Sequence, residues 1–255
     1  MDYRRVIPCL DTKNGRLVKG IHFVGLKELG DPAEAGEAYS RAGADELVVL
    51  DITATVEDRK TMLDTVRRTV ERIRVPLCVG GGIGSCEDIR AILDLGAAKV
   101  SMNSAAVRRP ALVKEAAKAF GRERIVVTID TRKNAKMPSG FEVVVSGGTK
   151  PAGLDAVAWA RKVQDLGAGE ILPTSMDTDG TLAGYDIPMT RAIADAVQVP
   201  IIASGGAGTL QHLYQAIADG HADAVLVASI AHYGTFTIRQ MKEYLKAKSV
   251  AVRLD

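Results

Sequence analysis

Two aspartates in the 255-residue chain close runs of largely apolar residues, Cys9-Leu10-Asp11 and Thr128-Ile129-Asp130. A carboxylate at the end of a strand is placed to act as general acid or base on a molecule lying over the sheet. The competing reading is that each aspartate caps its own loop. Two glycine-rich turns recur in the same way, Gly80-Gly81-Gly82 and Ser204-Gly205-Gly206, each between a Val/Ile-rich run and an amphipathic stretch. Unencumbered backbone N–H groups and the positive end of the following helix suit an anion such as phosphate; tight strand-to-helix packing is the alternative. One strand further on stand Asn103-Ser104 and Ala228-Ser229, small residues able to complete each cradle. Two such cradles imply a substrate with a phosphate at each end, its middle flanked by the two carboxylates.

The elements that must hold these groups follow from an internal repeat. The segment Val75-Pro76-Leu77-Cys78-Val79-Gly80-Gly81-Gly82-Ile83-Gly84-Ser85 matches the segment from Val199 to Thr209, an offset of 199 − 75 = 124. Gly43-Ala44-Asp45-Glu46 falls on Gly167-Ala168-Gly169-Glu170 at the same offset, and Asp11 on Asp130 at 130 − 11 = 119. Candidate strands lie at Val6 to Asp11, Glu46 to Asp51, Pro76 to Val79, Lys99 to Met102, Ile125 to Asp130, Glu170 to Thr174, Pro200 to Ala203 and Ala224 to Val227, with helical stretches between them. Alternating βα units predict a parallel sheet. Eight of them with a half-length repeat predict a single (β/α)8 barrel domain of two homologous (βα)4 halves, about 1–123 and 124–255, rather than an open doubly wound sheet. Helix starts are expected at Asp31-Pro32-Ala33-Glu34 and Ser85-Cys86-Glu87-Asp88.

Composition narrows the function classes. Lys and Arg number 33 against 31 Asp and Glu, a net charge of +2, with 47% hydrophobic residues. That balance argues against a nucleic-acid-binding surface. No apolar run is long enough to span a membrane, and the start lacks the apolar core of a signal peptide, so a cytoplasmic protein is expected. Cys9, Cys78 and Cys86 read as small core residues in a reducing compartment. His22, His212, His221 and His232 are scattered, so neither a metal site nor a cofactor is expected. The Gly-rich stretch from Thr12 to Asp31 is too long for a βα turn unless it works as a lid. Lys19 within it is either a contact to an anionic substrate or a solvated surface residue. Pro138-Ser139-Gly140 could turn a small hairpin within Asn134 to Gly148.

Taken together, Ile7-Pro8-Cys9-Leu10-Asp11, the run from Gly15 to Gly20, Leu50-Asp51-Ile52-Thr53-Ala54, Asn103-Ser104-Ala105-Ala106-Val107, Gly184-Tyr185-Asp186 and Ile202 to Gly208 resemble the cyclase subunit of imidazole glycerol phosphate synthase. The likeness runs from about Arg4 to Arg253. It implies ammonia-dependent ring closure of a bisphosphorylated ribulosyl-formimino-aminoimidazole carboxamide ribonucleotide, in histidine biosynthesis. By that likeness Asp130 is the general base and Asp11 the general acid. Gly82, Asn103 and Ser104 bind one phosphate, Gly180, Gly206, Ala228 and Ser229 the other, and Lys19 belongs to a closing loop. The resemblance also implies a glutaminase subunit docked at the N-terminal barrel face, where Arg5, Glu46, Lys99 and Glu170 form a ring of charges at an ammonia entrance. The sister isomerase of the pathway shares the repeat, the cradles and the aspartates, and a non-catalytic partner-binding barrel is a rival of another class. The chain departs from the family pattern at Pro173, expected to cost a ladder hydrogen bond or force a bulge, at Thr178, where a basic residue is common, and at Ala231, where looser packing is expected.

Overall fold

The computed structural model describes residues 3–21, 24–54 and 63–254; His22 lies outside them. Eight strands run parallel: β1 (Arg5–Lys13), β2 (Leu47–Asp51), β3 (Leu77–Gly80), β4 (Lys99–Met102), β5 (Ile125–Lys133), β6 (Glu170–Ser175), β7 (Ile202–Ala203) and β8 (Ala224–Val227). Each pairs with the next from β1 to β6, β7 pairs with β8, and β8 returns to β1. Two parallel bridges, Ile171 to Ile201 and Thr174 to Ser204, close the remaining seam. The ring excludes an open sheet and gives the expected (β/α)8 barrel.

Outer helices follow as α1 (Pro32–Arg41), α2 (Leu63–Val70), α3 (Cys86–Asp94), α4 (Ala111–Phe120), α5 (Ala156–Asp165), α6 (Ile187–Ala194), α7 (Leu210–Ala218) and α8 (Ile238–Ala247). Asp31 caps α1 by accepting from the N–H groups of Ala33 at 2.8 Å and Glu34 at 3.3 Å, with Pro32 at the first helical position. Ser85 caps α3 through the Asp88 N–H at 3.1 Å.

Strand side chains alternate between two environments. Val6 and Leu10 of β1 pack outward against the helical layer, whereas Ile7 and Cys9 join Val48, Cys78, Val126, Leu172, Ile202, Ala224 and Leu226 in a separate cluster. That cluster fills the barrel interior. The same parity points Arg5 and Asp11 of β1, Lys99 of β4, Glu170 of β6 and Asp130 of β5 inward. One period-2 row thus runs from a charge at the start of a strand, through apolar filling, to a polar group at its end. Cys9 and Cys78 are buried within it and Cys86 is half-buried at the start of α3, all three as free thiols.

Pro173 costs a hydrogen bond without bulging the strand. β5 and β6 stay in register through Leu172, Pro173 and Thr174, so no bulge forms. On the other side Ile171 N–H donates to Pro200 O and Ser175 N–H to Ser204 O, and Ser204 N–H donates to Pro173 O. Position 173 falls between those two donors and has no N–H to give. The loss coincides with the seam where regular pairing dwindles to two bridges.

The Gly-rich stretch after Thr12 departs from the expected loop. Arg16–Ile21 and Val24–Gly30 form an antiparallel pair, and the first of them continues β1 through Thr12 to Leu17 and Lys13 to Arg16. Pairing satisfies backbone groups that a structureless loop would leave to solvent. A second antiparallel extension, Phe141–Val145 with Lys150–Asp155, grows from the end of β5. Its turn spans 134–140, closed by Asn134 N–H to Gly140 O at 2.8 Å, where the Pro-Ser-Gly signal lies.

Candidate active site

Asp11 and Asp130 end the inward rows of β1 and β5 and line one cavity of about 530 Å³. Lys19, Gly82, Asn103, Ser104, Gly180, Gly206, Ala228 and Ser229 line the same cavity. It opens at the C-terminal ends of the strands, the end at which barrel enzymes keep their chemistry.

The two carboxylates differ in their partners. Asp11 is buried, its Oδ2 2.8 Å from the Lys19 ammonium and its Oδ1 3.4 Å from the Cys9 Sγ. Lys19 is itself only 5% exposed, which rules out the solvated-lysine reading. Burial works to lower its pKa, but the charges of Asp11 and then Asp179 hold the ammonium above the usual lysine range. Among the described residues no cation lies against Asp130. Burial pushes its carboxyl up to about 7, against the lowering effect of the hydrogen bond from Asn103 Nδ2 at 2.7 Å and with some help from the Asp179 charge. A carboxylate so tuned changes protonation near neutrality, as a general acid or base must.

The two glycine-rich turns present their backbone to the cavity in the same way. Gly81 and Gly82 have φ of +95° and +70°, and Gly205 and Gly206 of +93° and +101°, the left-handed region open to glycine. A short helix follows one strand later, Ser104–Arg108 after β4 and Ser229–His232 after β8. Their first caps, Asn103 (φ −122°, ψ −92°) and Ala228 (φ −133°, ψ −82°), share a conformation and make no side-chain capping bond. By contrast the side chains of Asp31, Ser85, Asp155, Asp186, Thr209 and Thr237 cap outer helices. Helix starts left uncapped at a cavity wall offer N–H groups to an anion. A Cβ on Gly206 would overlap the Gly184 carbonyl. Gly206→Ala is therefore expected to lower the unfolding free energy by roughly 1–3 kcal/mol in urea titration; an unchanged midpoint would show that the turn relaxes freely.

Thr178 helps hold the neighbouring loop, its Oγ1 donating to Gly205 O at 3.1 Å. Ala231 is partly buried and packs on the apolar cluster under β8 and α8. Two contributors escaped the sequence reading. Asp179 is buried, with Oδ1 3.9 Å from Lys19; the Asp-Gly pair at 179–180, following a strand, was its available signal. At the tip of the second antiparallel extension, Ser146 N–H donates to Ser104 Oγ at 3.0 Å and Gly147 lines the cavity. No local pattern announces that contact.

At the opposite end of the barrel, four charges close on one another. Arg5 lies 2.7 Å from Glu46 and 2.7 Å from Glu170, and Lys99 lies 2.9 Å from Glu46 and 2.8 Å from Glu170. Alternation of sign lets each charge face two opposites where solvation is poor.

A closed parallel barrel with paired carboxylates and two backbone cradles at its C-terminal mouth defines a (β/α)8-barrel protein of the enzyme type. The chain belongs to the histidine biosynthesis protein family, whose model matches residues 5–237. It is 54% identical over 252 residues to the imidazole glycerol phosphate synthase subunit HisF of Nostoc sp. strain PCC 7120, covering 98% of this chain and 97% of that protein.

Proposed function

We propose that the chain is the ammonia-dependent cyclase half of imidazole glycerol phosphate synthase. It joins ammonia to a bisphosphorylated ribulosyl-formimino-aminoimidazole carboxamide ribonucleotide, releasing imidazole glycerol phosphate and aminoimidazole carboxamide ribonucleotide. One observation carries this reading: the acid–base cavity at one end of the barrel faces a closed ring of four charges at the other. A sugar-opening isomerase needs the first and has no use for a second mouth.

Gly82, Asn103 and Ser104 hold one phosphate, and Gly180, Gly206, Ala228 and Ser229 the other. Both are bound mainly by backbone N–H groups, so the near-neutral net charge is no obstacle. Asp130, raised to about 7, serves as general base, and Asp11 with its Lys19 partner as the acid. The strand pair carrying Lys19 closes over bound substrate. The repeat and the matched cradles support one domain of two halves, about 1–123 and 124–255.

Ammonia enters through Arg5, Glu46, Lys99 and Glu170 and crosses the apolar barrel interior as its packed side chains part to admit it. Buried Glu46 Oε1, which has no hydrogen-bond partner among the described residues, is available to accept from the N–H groups of ammonia. A glutaminase subunit docked on this N-terminal face supplies it. Among the described residues no helix is long and apolar enough to cross a membrane; the cytoplasmic location is part of the proposed reading.

Purified protein given the substrate and an ammonium salt at alkaline pH is expected to form imidazole glycerol phosphate. Isomerisation without ammonia uptake would assign it to the sister enzyme, and a folded protein that turns over neither would be a scaffold. Gel filtration with the glutaminase subunit tests docking, and failure to co-elute even with a substrate analogue present would remove that part of the reading.

A further inference from the structure

His232 is half-buried at the end of the short helix Ser229–His232 and is used by neither cradle nor acid–base pair. Its Nε2 lies 2.9 Å from the carbonyl oxygen of Cys9, and its Nδ1 lies 2.7 Å from the Tyr39 hydroxyl on α1. A carbonyl only accepts, so Nε2 carries the proton and donates; in the neutral ring that burial favours, Nδ1 is then the acceptor for the Tyr39 O–H.

The contact falls where the sheet runs out. Arg5 N–H donates to Asp223 O, so alternate residues Arg5, Ile7 and Cys9 aim their backbone groups at β8. The β8 ladder ends at Pro8 and Val227, after which the chain turns into the short helix. Cys9 O therefore faces an edge with no strand, and the imidazole supplies the donor that a longer β8 would have given. Two residues on is Asp11, which the Cys9 thiol also touches.

The first half solves the same task differently. There Asn103, at the start of the short helix, donates directly to Asp130. In the second half the equivalent cap is Ala228, whose side chain has no donor to offer Asp11. We propose that His232 is a positioning residue that ties the second cradle to the strand carrying Asp11, so that an anion in that cradle and the aim of Asp11 are coupled. This rests on the cyclase reading for its kinetic test but not for its spectroscopic one.

With ammonium and substrate, His232→Leu is expected to lower kcat at least about tenfold, with KM changed less than about threefold, because a displaced reacting group costs turnover more than binding. His232→Gln, whose amide can reach the same carbonyl, should recover most of that loss, and Tyr39→Phe should fall between. A purely structural role would lower melting temperature without splitting kcat from KM or giving rescue by Gln. Independently, ¹⁵N-histidine spectra should show a single Nε2–H tautomer for His232 whose resonance moves on titration with inorganic phosphate. Wild-type turnover with an unaffected His232→Leu variant would overturn the proposal and leave the cyclase reading intact. A wild type without cyclase activity would sink that reading alone, and a His232 signal indifferent to phosphate would remove the coupling.

Discussion

Asp130→Asn is expected to reduce ammonia-dependent turnover by about 10²–10⁴-fold while leaving KM nearly unchanged, the size of a lost general acid–base group. The substitution is nearly isosteric, and Asn103 Nδ2 keeps an acceptor in the new amide oxygen, so the cavity need not rearrange. The pH dependence follows from the raised carboxyl. A base works only when ionised, so wild-type kcat/KM should climb with pH through about 7 and level off above it. Asn103→Ala removes a hydrogen bond that favours the carboxylate, and should move that limb to higher pH. Stability carries the opposite sign. The folded-state pKa lies above the unfolded value near 4, so the native state binds more protons between the two, and stability falls as pH rises across that window. Asp130→Asn is spared this, and should gain on the wild type by an amount on the order of a few kcal/mol between pH 4 and 8. Turnover unchanged by the substitution, or a stability gap that does not vary with pH, would contradict the assignment.

Lys19→Met should cost about 3–5 kcal/mol of unfolding free energy at pH 8, because it leaves Asp11 as a buried carboxylate with no cation. Both partners are about 5% exposed and 2.8 Å apart, so solvent cannot take over the role of the ammonium. The nearby Asp179 adds repulsion once the cation is gone. Lys19→Arg, which keeps the charge, should restore most of the stability but less of the turnover, since a planar guanidinium does not reproduce the ammonium geometry. Urea midpoints for the three proteins at pH 8 decide the matter; a Lys19→Met protein as stable as wild type would mean that the pair does not persist in solution.

Much of this arrangement is legible in the chain because it repeats. The 124-residue offset places Gly81-Gly82 over Gly205-Gly206, and the backbone at both is left-handed. Strand-end aspartates were readable for a simpler reason: period-2 alternation carries the inward row of each strand from Arg5 or Lys99 to Asp11 or Asn103 without any tertiary information. The stretch from Thr12 to Asp31 reads as a loop in the sequence, yet Arg16–Ile21 and Val24–Gly30 within it are paired strands. Their glycines looked like punctuation, and the pairing partner that makes them strands is the end of β1 itself, which local composition does not reveal.

By itself, then, the sequence determined the barrel, its repeated glycine turns and which side chains line its axis, since these depend on periodicity and on the spacing of the repeated segments. Only the tertiary structure decided what those side chains are beside. Lys19 against Asp11, Asp179 near Lys19 and His232 on the Cys9 carbonyl join parts of the chain as much as 223 residues apart. The strand that folds back on β1 sets Lys19 beside Asp11, the ring of strands brings Asp179 near them, and closure of β8 onto β1 brings His232 to Cys9. Burial then converts those proximities into shifted proton affinities and fixed donors, which no residue carries in its own identity.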